Sequence, residues 1–201
     1  MCAFAALVAC TSLNAQDKSD FGGWYSVTAV KPIDKAVVSL RLEQRLNDDM
    51  GNNECRFAAL TGGYRFNDWL LGELSYEFWD IAGGNYNHKA VGALTGTLKE
   101  GGLAVAIREK YELNIPDAGG DCSHTLRSRL RVQYRIPDSR ITPYIMEEVF
   151  TWNDVWIRSL NYIGLEWAAG DHSTFDFFYN YHLPNGRIPV HTIGVGYVVK
   201  F

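Results

Sequence analysis

The densest chemistry in this chain is a ladder of arginines. Arg127, Arg129, Arg131 and Arg135 alternate with apolar residues within Leu126–Ile136. A strand places alternate residues on one face, whereas a helix would spread these arginines around its circumference. The spacing therefore predicts a β-strand with guanidinium groups on one side and an apolar surface on the other.

The same alternation recurs in other segments, such as Val38–Leu46 and Leu103–Tyr111. If such strands close into a barrel with the charged faces inward, the predicted lumen-lining residues are Arg41, Glu43, Arg45, Glu73, Glu77, Arg108, Lys110, Arg127, Arg129, Arg131 and Arg135. A column of this kind can attract anions. The alternative is a closed network of ion pairs that fills a narrow lumen, which is usual for small barrels. The sequence leaves both interpretations open and favours the second.

The elements that would carry these residues are short strands. Segments of about ten alternating residues, separated by turn residues, continue from Gly23 to Phe201, which is typical of transmembrane barrels. Stacked like charges, and aromatic residues such as Trp24, Trp69 and Trp79 near strand ends, favour a membrane barrel over a soluble sandwich or lipocalin-like barrel. The sequence predicts an all-β, up-and-down antiparallel transmembrane β-barrel of about 10–12 strands in the bacterial outer membrane.

The strand count raises a question of parity. Eleven segments can be distinguished, namely 23–30, 36–47, 55–66, 69–80, 88–99, 102–113, 123–136, 141–151, 156–168, 173–182 and 189–201. Single-chain bacterial barrels have an even number of strands, so that the last strand closes antiparallel onto the first. We therefore expect ten or twelve strands, with twelve slightly favoured.

The connections predict which end of the barrel faces the cell interior. Short links such as 137–140 alternate along the chain with longer ones such as 47–55 and 114–123. Periplasmic turns are short and external loops are longer, so the longer links are expected outside. They contain Cys55 and Cys122, a candidate disulfide in an exported protein.

The N-terminus resembles an export signal. Met1–Ala15 is largely apolar, and Leu13-Asn14-Ala15 resembles a signal-peptidase site. A competing interpretation takes Leu7-Val8-Ala9-Cys10 as a lipobox with lipidation at Cys10. The predicted organisation is a signal peptide over residues 1–15 and one barrel domain over 16–201.

Other function classes receive less support. A net charge of −4 and a pI near 5.7 argue against a nucleic-acid partner. No His or Cys pair has the spacing of metal ligands, and no cofactor motif is present. An integral outer-membrane hydrolase, using His88, His124, His182 or His191 near the external ends, is the alternative function, and a protein that binds partners through its surface loops is a third. We do not expect an enzyme, and no catalytic residue is assigned.

The order of several short motifs resembles a family of unknown function found as outer-membrane β-barrels in Gram-negative bacteria. The motifs are Asp20–Trp24, Leu42–Arg45, Val132–Pro137, Thr142–Tyr144 with Glu147–Phe150, Tyr162–Glu166, Phe178-Tyr179 and Gly194–Phe201. The resemblance implies export, a barrel and no established activity. The pair Cys55 and Cys122 departs from the family pattern.

The last strand completes the prediction. Ile193, Val195, Tyr197, Val199 and Phe201 alternate toward the outside, and a terminal Phe resembles the signal read by barrel-assembly machinery, with Tyr197 as its second element. We expect Phe201 at the periplasmic end. The expected partners are this machinery and outer-membrane lipids, and the expected state is a porin-like monomer.

Overall fold

The structure is a computed structural model that describes residues 19–152, 155–186 and 188–201. The predicted signal peptide Met1–Ala15, its cleavage site and the alternative lipidation at Cys10 lie outside the described residues. In the part of the chain that is described, no helix has the length and apolar character required to cross a membrane.

The described residues form eleven β-strands that close into one barrel. The strands are β1 (Asp20–Ile33), β2 (Ala36–Asn47), β3 (Asn52–Arg65), β4 (Leu70–Ile81), β5 (Asn85–Glu100), β6 (Leu103–Pro116), β7 (Ser123–Tyr134), β8 (Ile141–Trp152), β9 (Val155–Ala168), β10 (Ser173–Pro184) and β11 (Val190–Lys200). Each strand pairs antiparallel with the next along the chain. The all-β barrel predicted from the alternation is therefore confirmed.

The seam between β1 and β11 resolves the question of parity. The two strands pair in parallel, from Asp20 opposite Val190 to Val30 opposite Lys200. An odd number of strands can close in this way because the first and last strands then run in the same direction. The count of eleven segments is right, and the argument from parity for ten or twelve strands is wrong for this chain.

The connections fall at two ends of the barrel. The lower end carries the links 34–35, 66–69, 101–102, 135–140 and 169–172, and the upper end carries 48–51, 82–84 and 117–122, with the β8–β9 and β10–β11 strand ends beside them. The predicted contrast in link length is wrong, since lower links of two to six residues face upper links of similar length. The hairpins at the upper end continue beyond the apolar alternation, so β3 begins at Asn52 and β5 at Asn85 and residues expected in loops are paired.

The two faces of the wall differ in polarity. Apolar side chains cover the outside, where Leu74 is 74 % and Leu98 is 73 % exposed. The lumen holds the buried polar groups, including Asn180 and Thr192. An apolar exterior around a polar interior is the architecture of a transmembrane β-barrel. The core of the molecule is therefore its lumen.

Candidate functional site in the barrel lumen

The predicted lumen residues come from four of the eleven strands. Arg41, Glu43 and Arg45 lie on β2, Glu73 and Glu77 on β4, and Arg108 and Lys110 on β6, with the arginine ladder on β7. All of these side chains border one lumen cavity. Arg135 is the exception, because it follows the last residue of β7 and its backbone N–H donates to Gly102 O at the lower end (2.8 Å).

The upper half of the lumen is held by ion pairs centred on Arg127. Its guanidinium donates to Glu112 and to Glu148, at 2.7 Å each. Lys110 and Lys89 bind the same Glu112 carboxylate at 2.8 and 3.3 Å. Because both carboxylates are buried, removal of Arg127 would leave two charges without their strongest partner. Glu112, Glu148 and Lys89 were not among the predicted lumen residues.

Further ion pairs connect the remaining strands. Glu43 accepts from Arg45 at 2.7 Å and also from Arg41. Nearer the lower end, Arg108 binds Glu73 at 2.9 Å. Still other pairs cross the lumen between strands that are not neighbours: Arg131 with Glu166 (2.6 Å) and the Tyr144 hydroxyl with Asp176 (2.9 Å). Much of the lumen is thus filled by paired groups.

Aromatic rings and cations form a second layer of contacts. Arg45 lies 4.0 Å from the Trp24 ring and Lys89 lies 4.1 Å from the Trp79 ring. Phe150 contacts two cations, Arg127 at 4.3 Å and Arg158 at 4.1 Å. We call the rings of Trp24, Trp79, Phe150, Tyr162 and Phe178 the aromatic layer. Trp24 and Trp79 were predicted at the membrane interface, and that prediction is wrong because both face the lumen.

Two glycines make room for rings inside the barrel. Gly194 faces Phe178, and a Cβ at Gly194 would clash with that ring. Gly164 faces Tyr144, whose Cζ would lie 2.6 Å from such a Cβ. Phe178 in turn packs edge-on against Trp24, with ring centroids 6.3 Å apart. Glycines at inward positions are the sequence signal that could have identified these rings as lumen residues.

Two arginines in the lumen have no carboxylate partner among the described residues. Arg129 lies directly opposite Arg108 across β6 and β7 and is within 4.0 Å of no described carboxylate oxygen. Arg158 contacts Phe150 but likewise makes no ion pair there. By contrast, each lumen carboxylate among the described residues accepts a hydrogen bond or ion pair from a side chain. These carboxylates are Glu43, Glu73, Glu77, Glu112, Glu148, Glu166 and Asp176.

The space beside Arg129 is a cavity of about 320 Å³ in the lumen. Arg108, Arg129 and Arg131 border it together with Tyr144 and Asp176. The cavity is asymmetric along the barrel axis. The side chain of Arg41, on the lower side, is 47 % exposed, whereas that of Glu77, nearer the upper end, is 7 % exposed. The cavity therefore opens toward the lower end and is narrowed above by the aromatic layer and the Arg127 ion pairs.

A second group of polar side chains lies beside the upper part of the aromatic layer. Arg158 Nε, His182 Nε2 and both side-chain amide atoms of Asn180 are buried and have no hydrogen-bond partner among the described residues. Their strands are adjacent, since His182 lies opposite Leu160 on β9 and Asn180 opposite Tyr162. Buried polar groups are normally hydrogen-bonded, so this part of the lumen offers unpaired donors, Arg158 Nε–H and Asn180 Nδ2–H, beside the unpaired acceptor Asn180 Oδ1.

The predicted disulfide between Cys55 and Cys122 is not formed, and both residues are free thiols. Cys55 is buried on β3, opposite the lumen residue Arg45. Cys122 is exposed in the link between β6 and β7. Two whole strands, β4 and β5, separate the strand of one cysteine from the link of the other. Both positions lie at the upper end, but Cys55 is buried in the wall and Cys122 is exposed in a link.

The histidines considered for a hydrolase do not converge on a common site. His88, His124 and His191 each make a hydrogen bond to a tyrosine that stands exposed on the outer wall. His182 is the one that faces the lumen. Within the described residues, no three His, Cys, Asp or Glu side chains are grouped so as to hold a metal ion.

Comparisons with known proteins agree with the architecture. A family model described as a protein of unknown function, DUF2490, matches residues 21–189. A solved structure of the NanC porin in a rhombohedral crystal form is similar with a TM-score of 0.61 and 15 % identity, over 90 % of this chain and 99 % of that one. At this identity the likeness shows the fold alone. No curated protein matches the chain.

Proposed function

This chain belongs to the DUF2490 family of proteins of unknown function, and on that premise we propose that it is an outer-membrane β-barrel whose lumen forms a narrow pathway for small anions. The apolar exterior and the porin-like fold support the membrane location. The unpaired positive charge in the lumen supports anions as the solute.

Arg129 is the observation that carries the proposal. Its guanidinium borders the cavity, lies opposite another arginine and has no carboxylate within ion-pair distance among the described residues. A buried cation without a partner is unfavourable, and an anion entering the cavity would supply the missing charge. If ion pairs served only to fill the lumen, we would expect Arg129 to be paired as Arg127 is.

The pathway would have two stations. The first is the cavity bordered by Arg108, Arg129 and Arg131, which is open to the lower end. The second lies beside the upper part of the aromatic layer, where Arg158, Asn180 and His182 offer unpartnered polar atoms. The rings and the Arg127 ion pairs between the stations would limit passage to small solutes. A binding site must be strong enough for entry and weak enough for release, and two weak stations meet both needs.

We further propose that the lower end faces the periplasm. The β2–β3 and β4–β5 hairpins continue beyond the apolar alternation at the upper end, as external hairpins of outer-membrane barrels do. Phe201 lies at the lower end beside Val30. Outer-membrane lipids would then surround the wall, and the barrel-assembly machinery would meet β11 from the periplasm, with Tyr197 and Phe201 as its signal.

Conductance measurements in planar bilayers test the proposal. We expect the full chain to give small, anion-selective currents, and Arg129→Gln to move the reversal potential in a salt gradient toward zero. Arg135→Gln is the matched control, because Arg135 lies in the link at the lower end and does not border the cavity. It should leave selectivity unchanged.

Two results would overturn the proposal. One is a barrel that inserts and carries no current at any voltage, which would mean that the lumen is closed filling. The other is a reversal potential that is equal in wild type and Arg129→Gln. A circular dichroism spectrum of β-structure in both variants ensures that the comparison concerns folded protein.

A further inference from the structure

Three pairs of one tyrosine and one histidine share the same geometry on the outer wall. Each tyrosine hydroxyl lies within hydrogen-bond distance of the histidine Nδ1 on the next strand. The pairs are Tyr76 with His88, Tyr111 with His124, and Tyr179 with His191. Their ring centroids are 5.9, 5.7 and 5.9 Å apart, at interplanar angles of 30°, 30° and 37°. We call these three pairs the Tyr–His girdle.

The girdle occupies one position in three different hairpins. These are β4–β5, β6–β7 and β10–β11, all of which turn at the upper end. In each hairpin the tyrosine stands five residues before the last residue of its strand, namely Ile81, Pro116 or Pro184. The pairs therefore repeat along the rim of the barrel. They lie on the outer wall, so the packing of the lumen does not account for them.

The height of the girdle follows from the apolar exterior. At the lower end, exposed apolar side chains continue into the links, where Phe66 is 56 % and Trp69 is 53 % exposed. They also reach the tip of the β8–β9 hairpin at the upper end, where Trp152 is 48 % exposed, so the height is counted along the girdle strands themselves. A membrane-spanning strand needs about 9–11 residues. Counted from the lower end, ten residues lead from Tyr134 to His124 and from Phe201 to His191. His124 and His191 thus stand where the hydrocarbon would end and the lipid headgroups would begin.

The hydrogen bond of each pair determines what the histidine can offer. A tyrosine hydroxyl that donates to Nδ1 leaves the proton of a neutral imidazole on Nε2. The rings lie on the outer face, where His124 is exposed and His88 and His191 are half-buried. At headgroup height an N–H donor meets water, ester carbonyl oxygens and phosphate oxygens of membrane lipids. The anionic phosphate oxygens are the strongest acceptors among these.

We propose that the Tyr–His girdle binds phosphate groups of lipid headgroups, with each tyrosine orienting its histidine so that Nε2–H donates to a phosphate oxygen. The inference rests on the proposed membrane location and is independent of the anion pathway. His88 differs from the others, since its Nε2 lies 3.6 Å from Asp117 Oδ1. That carboxylate competes with phosphate, so His124 and His191 are the stronger sites.

Native mass spectrometry of the full chain tests the girdle. The protein is folded into vesicles of phosphatidylglycerol, extracted into mild detergent, and the lipids retained per barrel are counted. We expect the double variant His124→Phe and His191→Phe to retain phosphatidylglycerol about tenfold more weakly, as loss of a charge-assisted hydrogen bond predicts. His172→Phe is the matched control, because His172 lies in the lower-end link 169–172.

Two further arms identify the chemistry. Diacylglycerol, which has the acyl chains but no phosphate, should not be retained by the wild type. Inorganic phosphate should not displace phosphatidylglycerol, since the headgroup is held in place by its chains. The double variant His124→Gln and His191→Gln, which keeps a side-chain N–H, should restore part of the retention.

The possible results distinguish a failure of the girdle proposal from a failure of the proposed membrane location. A wild-type barrel that fails to insert into vesicles would overturn both. A barrel that inserts, but retains phosphatidylglycerol equally in wild type and His124→Phe/His191→Phe, would overturn the girdle alone. Equal retention of diacylglycerol would also overturn it, because the contact would then be with acyl chains.

Discussion

Arg108 and Arg129 lie directly opposite each other across β6 and β7, with both side chains directed into the lumen. Arg108 is paired with Glu73 at 2.9 Å, while Arg129 has no such partner among the described residues. The barrel therefore keeps an uncompensated positive charge beside a cavity, and neighbouring arginines of one strand have opposite expected effects on stability.

We expect Arg129→Met to raise the free energy of unfolding by about 1 kcal/mol, since it removes an unpaired buried charge. Arg127→Met should lower it by about 3–5 kcal/mol, since it leaves Glu112 and Glu148 without a shared partner. Urea unfolding of the barrel in vesicles, followed by tryptophan fluorescence, measures both. Equal losses in the two variants would mean that Arg129 is paired.

Replacing two adjacent glutamates should change the stability of the barrel in opposite directions. Glu148 is buried in the lumen, whereas Glu147 is exposed on the outer wall, opposite Leu130. A carboxylate on the lipid face destabilises a barrel, so Glu147→Leu should stabilise it by about 1 kcal/mol. Glu148→Leu should destabilise it by about 3 kcal/mol or more, since Arg127 loses a partner. The same unfolding assay measures both variants. If Glu147→Leu and Glu148→Leu both destabilised the barrel, the orientation of β8 described above would be contradicted.

Substitution by Val should lower the stability of the barrel at a glycine that faces the lumen and not at one that faces outward. Gly194→Val would displace the Phe178 ring and should lower stability by about 1–3 kcal/mol, as overpacking does. Gly96→Val is the control, because no atom lies within 4 Å of a Cβ at that position. Near-ultraviolet circular dichroism should change only for Gly194→Val, where Trp24 loses its ring contact. An unchanged spectrum would argue against the aromatic layer.

The two cysteines should be distinguished by a thiol reagent. Cys122 is exposed and should react with a maleimide in the folded barrel, whereas Cys55 is buried and should react only after unfolding. Tryptic peptides identify the labelled residue by mass. Electrophoretic mobility that depends on reductant would restore the disulfide that the sequence predicted.

Much of the fold could be predicted because alternation is a local property. In a strand with one lumen face and one lipid face, polar and apolar residues alternate over about ten consecutive residues, as in Leu126–Ile136. The seam could not be predicted, since pairing between β1 and β11 depends on residues about 170 positions apart. Hairpin ends were also missed, because backbone hydrogen bonds at Asn52 and Asn85 continue a strand without any apolar pattern.

The site was predictable to a lesser degree. The ladder on β7 could be recognised from its own spacing, but the partners of Arg127 lie on the flanking strands β6 and β8. Glu148 was ambiguous because its neighbour Glu147 carries the same charge, and only the register of β8 separates them. Trp24 and Trp79 were misplaced because an aromatic residue near a strand end suits a membrane interface as well as a stacked cation.

The parallel seam gives the barrel a polarity that evenly stranded barrels lack. With an even count, the first strand begins and the last strand ends on the same side of the membrane. Here β1 begins at Asp20 at the upper end, while β11 finishes at Lys200 at the lower end. Epitopes fused to the two strands at these points would be separated by the full thickness of the membrane, and antibodies on intact cells would detect one of them and not the other.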